Sequence, residues 1–200
     1  MTTIMKQGPK KILQVFYKNQ NTPVHVRELA RETGLQGQSI MRYLNLLEKD
    51  RILIAKKDGN LKKYCLRNND KVISVLSVFD IEKYNKLPLL KRQALEYFIS
   101  RLKEQPVIII LFGSTAKESY GETSDIDILM VVNSKIDTMD ARNFVDGQTG
   151  EIINDLQISY KDFLQELKMK KDMVINSAIE TGYPLTNHLI FYRCIKDEGL

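Results

Sequence analysis

Two aspartates separated by one residue carry the clearest chemical signal in this sequence. Asp125 and Asp127 begin the run Ser-Asp-Ile-Asp-Ile-Leu-Met-Val-Val, which is typical of a strand, and alternate residues of a strand project from the same face. Their carboxylates would lie about 7 Å apart along the strand. Such a pair can bind one or two hard cations together with phosphate oxygens. The alternative is that Asp125 caps a turn and Asp127 lies on a solvated edge.

A glycine-serine turn upstream favours the first interpretation. Residues 107–112 form a continuous apolar run, as expected of a strand covered on both faces, and Gly113 and Ser114 follow directly. Glycine lets the backbone approach a ligand closely, and amides at the start of a helix over 114–119 would bind a phosphate chain. Ser114 would add a hydroxyl donor and Lys117 a positive charge. The closing Gly-Lys-Ser/Thr of a P-loop is missing.

These residues need strands and helices to hold them together. Pro88 opens a predicted helix that ends near Glu104, because Pro106 disfavours helical geometry at the residue before it. A further strand is predicted over 152–160, followed by a helix over 162–170. Over residues 171–200, two helices are predicted, one before and one after residues 182–184. Strands and helices in this order predict a small mixed sheet with flanking helices.

The run from Gly113-Ser114-x-Ala-Lys117 to Ser124-Asp125-x-Asp127 resembles the signature of the DNA polymerase β-like nucleotidyltransferase superfamily, in particular its minimal branch. The resemblance implies binding of ATP or another nucleoside triphosphate with Mg²⁺, two ions if the site is active, and transfer of a nucleotidyl group to a hydroxyl. It implies that the two aspartates are catalytic metal ligands. Nucleotide binding is assigned to Gly113, Ser114, Lys117 and Ser124.

Active members of this family use a third carboxylate on a further strand. Asp155, in the strand predicted over 152–160, is the expected catalytic metal ligand, with Asn154 or Gln157 as alternatives for the side chain that faces the metal. The sequence departs from the family pattern at Glu118, where many minimal members carry glycine. The resemblance also implies a protein acceptor, such as a partner toxin of the HEPN ribonuclease type, and thus a toxin-antitoxin pair.

The charge of the chain is unevenly distributed. Residues 1–70 hold 14 Lys and Arg against 6 Asp and Glu, a net charge of +8, while the remaining 16 basic and 19 acidic residues give −3. A basic segment beside a slightly acidic one indicates that the first part meets a polyanion.

The basic segment has the element order of a winged helix. Helices are predicted over 9–19, 26–33 and 39–49, with Gly34 ending the second, and two strand-like runs, 51–57 and 61–67, flank Asp-Gly-Asn. The third helix would enter the major groove of duplex DNA, and wing lysines would contact phosphates. The predicted DNA-binding residues are Gln38, Ser39, Arg42, Tyr43, Asn45, Lys56, Lys57, Lys62 and Lys63. A basic module for dimerisation, RNA or protein binding is the alternative.

Residues 26–35 and 42–50 resemble the winged helix-turn-helix regulators of bacteria and archaea. The predicted fold is therefore α+β: a winged helix-turn-helix domain over 1–68, a connector over 69–87, and a minimal nucleotidyltransferase domain over 88–200. The alternative function is a transcriptional regulator whose second domain senses nucleotide without catalysis.

Composition predicts a soluble, cytoplasmic protein, since no apolar run approaches the ~20 residues that span a bilayer. We expect no membrane partner, and a homodimer is possible. Cys65 and Cys194 have no paired spacing, so we interpret both as small core residues.

Overall fold

The structure is a computed structural model that describes residues 6–20, 22–59, 61–121 and 124–197. The chain forms two compact units, Met1–Phe79 and Asp80–Leu200. Each unit has its own buried apolar core. Within the described residues, none of the helices combines the length and apolar character required to cross a bilayer.

The first unit packs three helices with a three-stranded antiparallel sheet of order β1-β3-β2. The apolar faces of its helices are buried, with Phe16, Leu29 and Leu44 fully or almost fully inaccessible. The elements that lie wholly within it are α1 (Gln7–Lys18), β1 (Val24–His25), α2 (Val26–Thr33), α3 (Gly37–Lys49), β2 (Leu53–Asp58) and β3 (Leu61–Leu66).

Two turns of this unit depend on left-handed glycines. Gly34 ends α2 at φ 67°, and its amide donates to the carbonyl of Ala30, as expected of a helix C-terminal glycine. Gly59 follows β2 at φ 58°. The hairpin pairs Lys57 with Lys62, while Asn60 of the predicted turn lies outside the described residues.

The segment expected to be a connector is a helix of 17 residues, α4 (Asp70–Lys86), which includes the boundary between the two units. Val72, Val75, Leu76 and Phe79 are buried at helical spacing, so burial of this face stabilises the helix.

The second unit is a four-stranded mixed sheet with flanking helices. The strand order is β6-β5-β4-β7, where β4 runs antiparallel to β5 and β7, and β5 runs parallel to β6. The elements are α5 (Leu89–Arg101), β4 (Ile108–Phe112), α6 (Gly113–Ala116), β5 (Ile126–Val132), α7 (Met139–Thr149), β6 (Ile153–Ser159), α8 (Tyr160–Met169), α9 (Met173–Thr181), β7 (Tyr183–Pro184) and α10 (His188–Asp197).

The sheet core fixes which strand residues can form a site. Every residue of β4 is buried, so helices cover this strand on both faces. Ile126 and Ile128 of β5 lie in a core with Phe98 of α5 and Val145 of α7. Because strand side chains alternate, Asp127 must project from the opposite face.

Candidate active site and basic surface

The glycine-serine turn lies directly against the second aspartate. β4 and β5 are neighbours, and Phe112 pairs with Asp127, so Gly113 follows β4 beside that carboxylate. Gly113 has φ 70°, and a Cβ atom at this position would collide with the Asp127 side chain. The position therefore requires glycine both for its backbone conformation and for the space.

The helix after this glycine is a single turn, α6, shorter than the helix predicted over 114–119. Its first amides have no intrahelical acceptors, which leaves them available to an anion. Ser114 is half-buried and Lys117 is exposed. The Thr115 hydroxyl, a contact that no sequence motif indicated, donates to the carbonyl of Asp125 at 3.3 Å and links the turn to the aspartates.

The two aspartates converge with an asparagine. Asp125 lies just before β5, Asp127 lies within it, and both are half-buried. Asn154 is the β6 neighbour of Asp127, and its Nδ2 atom donates to Asp125 Oδ2 at 3.1 Å and to Asp127 Oδ1 at 3.3 Å. Asn154, one of the alternatives left open by the sequence, stands beside the aspartate pair.

Asp155 does not join Asp125 and Asp127, contrary to the expectation from sequence. It pairs with Ile128, a core residue, and so projects from the opposite face of the sheet. Its Oδ2 atom accepts hydrogen bonds from Thr138 at 3.0 Å and Gln157 at 3.3 Å, and Oδ1 lies 3.5 Å from Arg142 Nε. Asp155 is thus held in a polar cluster away from the pair, and Gln157 shares its face.

Ser124 takes part in the turn that leads into β5. Its hydroxyl accepts from the amide of Gly121 at 2.8 Å, and its carbonyl accepts from Lys91 Nζ at the same distance. The residue precedes Asp125 directly, so its backbone lies at the site, and its role toward a nucleotide stays a prediction.

Glu118 occupies a left-handed position at φ 57°, which explains physically why glycine suits this point of the turn. Burial lowers the pKa of the nearby Lys83 ammonium, and the carboxylates of Glu118 and Asp80 oppose that shift. Lys83 Nζ also lies 4.7 Å from the centroid of the Tyr183 ring. The acidic side chain therefore has a basic neighbour in this unit.

The donor set fits one hard cation better than two. Two carboxylates next to the Gly113 turn have the donor chemistry for one Mg²⁺, since this ion commonly takes one or two carboxylates. Among the described residues, no His, Cys, Asp or Glu joins such a pair to make a group of three. The polar side chain beside the pair, Asn154, is a neutral amide and so adds no negative charge for a second cation.

The predicted recognition helix presents an exposed polar stripe. Gln38, Arg42 and Asn45 are exposed at spacings of four and three residues on α3, whereas Ser39 and Tyr43 are half-buried. The Arg42 guanidinium donates to the Tyr43 hydroxyl at 3.1 Å. The Tyr43 ring packs so closely on Gly8 of α1 that a Cβ atom there would collide with it.

The four wing lysines differ in their partners. Lys62 lies 3.4 Å from Glu48, and Lys63 lies 2.7 Å from Asp58, whose pKa it lowers. Lys56 and Lys57 are exposed and form no ion pair with another described residue. The register pairs Lys56 with Lys63 and Lys57 with Lys62, so each face of the hairpin carries two lysines.

The second unit matches a known protein family. The nucleotidyltransferase domain family matches residues 91–193, just over half of the chain. No curated protein matches. A solved structure described as "Crystal structure of the toxin-antitoxin with AMP-PNP" is 14% identical, covers 55% of this chain and 81% of that chain, and has a TM-score of 0.35, too low to support a conclusion. The extent of the family match, which includes the turn and both aspartates, shows that the chain belongs to the nucleotidyltransferase domain family.

Proposed function

We propose that this protein binds duplex DNA through its first unit and transfers a nucleoside monophosphate from ATP or another nucleoside triphosphate through its second. The observation that carries the transfer proposal is the contact of the Gly113 turn with Asp127, beside Asp125. An anion-binding turn and two carboxylates at one point suit a triphosphate with Mg²⁺.

In this mechanism the acceptor oxygen attacks the α-phosphorus in line. The new oxygen–phosphorus bond forms as the bond to the bridging oxygen breaks, and pyrophosphate leaves. The turn amides and Ser114 would hold the phosphates, and Asp125 and Asp127 would hold Mg²⁺. When bound, Mg²⁺ supplies positive charge for the phosphate oxygens in the transition state.

The attacking hydroxyl must also lose its proton. Asn154 is the side chain beside the aspartate pair, and an uncharged amide does not accept a proton at neutral pH. We therefore propose that the proton leaves to solvent, which makes transfer slower than with a carboxylate base.

The proposed acceptor is a hydroxyl on a partner protein. This part rests on the resemblance to minimal nucleotidyltransferases, which implies a HEPN-type ribonuclease toxin. The proposed regulatory context rests on the exposed stripe of α3 and on the wing lysines of the basic first unit.

Transfer is tested by incubating the full chain with Mg²⁺ and ATP labelled at the α-phosphate, with and without a candidate HEPN-type partner. We expect Mg²⁺-dependent labelling of the partner. Asp127→Asn should reduce the rate about 100-fold or more, because metal charge supplies several kcal/mol of stabilisation. Asp140→Asn, at an exposed aspartate paired with Lys103, is the matched control.

Labelling that is absent, or that survives Asp127→Asn unchanged, would reject catalysis at this site. A second candidate function is then favoured by Asn154: a transcriptional regulator that binds nucleotide without transfer. It predicts Mg²⁺-dependent ATP binding and a change in DNA affinity, but no covalent product. Calorimetry with ATP and a DNA gel shift distinguish the two functions.

A further inference from the structure

Lys91 is a buried lysine that contacts the residue before the aspartate pair. It lies on α5 and is 3% exposed. Its Nζ atom donates to the Ser124 carbonyl at 2.8 Å and to Glu151 Oε2 at 2.7 Å. The Tyr120 ring centroid lies 5.5 Å away. One ammonium group thus joins α5 to the segments that precede β5 and β6.

The backbone of Asp125 depends on hydrogen bonds from outside the sheet more than the backbone of Asp127 does. Asp127 is fixed by the sheet, because it pairs with Phe112 on one side and Asn154 on the other. Asp125 lies one residue before β5 and has no ladder partner in the register. Its backbone is held by other groups on both sides.

Those groups are Lys91 and Thr115. Lys91 holds the carbonyl of Ser124, which belongs to the peptide group before the Asp125 Cα atom. Thr115 holds the carbonyl of Asp125 itself, in the peptide group after it. With both peptide groups fixed, the direction of the Asp125 side chain is fixed relative to Asp127.

Stability alone is a weak reason for this ion pair. Desolvation of two charges commonly offsets their attraction, and apolar replacements of a buried pair are often neutral or stabilising. A buried pair is better explained where it fixes geometry. Here the ammonium directly contacts the residue before a proposed metal ligand.

We infer that Lys91 is a positioning residue, which holds the Ser124 carbonyl so that Asp125 can bind the metal of a metal–triphosphate complex. The inference rests on the proposed function of this site. Outer groups that orient metal ligands typically contribute roughly 10–100-fold to metal affinity, so a loss of this size is expected without Lys91.

The test uses the full chain and the double variant Lys91→Met with Glu151→Gln, which leaves no unpaired buried charge. Glu151→Gln alone keeps the bond from Lys91 to Ser124. Lys103→Met, at an exposed ion pair of the same unit, is the matched control. Measurements are ATP binding as a function of Mg²⁺ concentration, ATP binding without metal, melting temperature, and ligand-free NMR shifts of the Asp125 and Asp127 amides.

The double variant should need roughly 10–100-fold more Mg²⁺ for the same ATP binding, with metal-free ATP binding unchanged. Its Asp125 amide signal should move while that of Asp127 stays. Lys103→Met should behave as the unaltered protein. Glu151→Gln should melt at a lower temperature, because the buried Lys91 ammonium loses its carboxylate, but it should keep the Mg²⁺ dependence of ATP binding. An equal loss of binding with and without Mg²⁺, or an unmoved Asp125 signal, would overturn the inference.

The same data separate this inference from the proposed function. If the unaltered protein shows no Mg²⁺-dependent ATP binding, the proposed function fails. The Asp125 amide shift in the double variant then still decides whether Lys91 positions that residue.

Discussion

Asn154 and Asp155 differ by one position along β6, and that single step decides which side chain reaches the aspartate pair. Side chains of a strand alternate, so a shift of one residue moves a group to the other face of the sheet. Asn154 bonds to Asp125 and Asp127, whereas Asp155 bonds to Thr138 and Gln157. The charge of the candidate site therefore depends on Asn154.

We expect Asn154→Asp to raise the rate of nucleotidyl transfer by about 100-fold, since it adds a carboxylate that can accept the acceptor's proton. Without metal, three neighbouring carboxylates repel, so the variant should melt at a lower temperature and recover with Mg²⁺. Transfer kinetics and thermal melts with and without Mg²⁺ measure both effects.

The control is Asp155→Asn, which changes the neighbouring residue on the opposite face. It should cost stability, because it weakens the bonds to Thr138 and Arg142, and leave the dependence of melting on Mg²⁺ unchanged. Equal effects of the two variants on Mg²⁺ dependence would contradict the assigned faces.

Gly113→Ala should abolish Mg²⁺-dependent ATP binding, because the new methyl group displaces the Asp127 carboxylate. Gly150→Ala is a matched control, since both glycines have φ 70° but nothing lies within 4 Å of a Cβ atom at Gly150. Each variant should lose about 1 kcal/mol of unfolding free energy from its left-handed backbone. Calorimetry and denaturant unfolding measure the two effects. Retained binding in Gly113→Ala would show that the close contact is not needed.

At the scale of elements, the lysines of the β2–β3 hairpin differ in whether they form an ion pair with another described residue. Lys63 is paired with Asp58, which offsets its charge toward a phosphate, whereas Lys56 and Lys57 are exposed. Phosphate contacts release counterions and make affinity depend on salt. The four lysines are therefore not expected to contribute equally to DNA binding.

Replacement of both Lys56 and Lys57 by alanine should lower DNA affinity and reduce the slope of log affinity against log salt by about 1.8, or about 0.9 for each phosphate contact. Lys63→Ala should change the slope less. Fluorescence anisotropy with duplex DNA at several salt concentrations measures both. An unchanged slope in the double variant would remove the hairpin from the proposed interface, and tighter binding of RNA than DNA would favour the RNA alternative.

At the scale of the whole molecule, ligands should report on each unit separately. A ligand that binds only folded protein stabilises it by about 2.7 kcal/mol at a concentration 100 times its dissociation constant. Mg²⁺ with ATP should therefore raise the melting temperature of the unit Asp80–Leu200, and duplex DNA that of Met1–Phe79.

Coupling between the units is measured in the same experiment. If nucleotide regulates DNA binding, ATP and DNA together should stabilise the protein by an amount that differs from the sum of their separate effects, with a coupling of about 1–3 kcal/mol. Asp127→Asn should remove the ATP effect and the coupling but keep the DNA effect. Strict additivity would show that the two functions are independent.

Much of the fold could be predicted because local pattern determines it. Apolar periodicity located α2 and α3, and the apolar run of β4 marked a strand covered on both faces. The helix α7 was not predicted, since Ala141 and Val145 are its only buried residues and Gly147 lowers its helix propensity. That helix is stabilised by packing against α5, and a contact between two elements distant in sequence cannot be predicted from a local pattern.

The sequence by itself determined the chemistry of the turn and of the aspartate pair, because Gly113-Ser114 and Asp125-x-Asp127 are short motifs whose residue types and spacing are local. Only the tertiary structure decided what surrounds them. Strand register places Asn154 at the pair and Asp155 on the opposite face, and helix packing brings Lys91 to Ser124. Register and packing depend on contacts between residues distant in sequence, which the motifs do not contain.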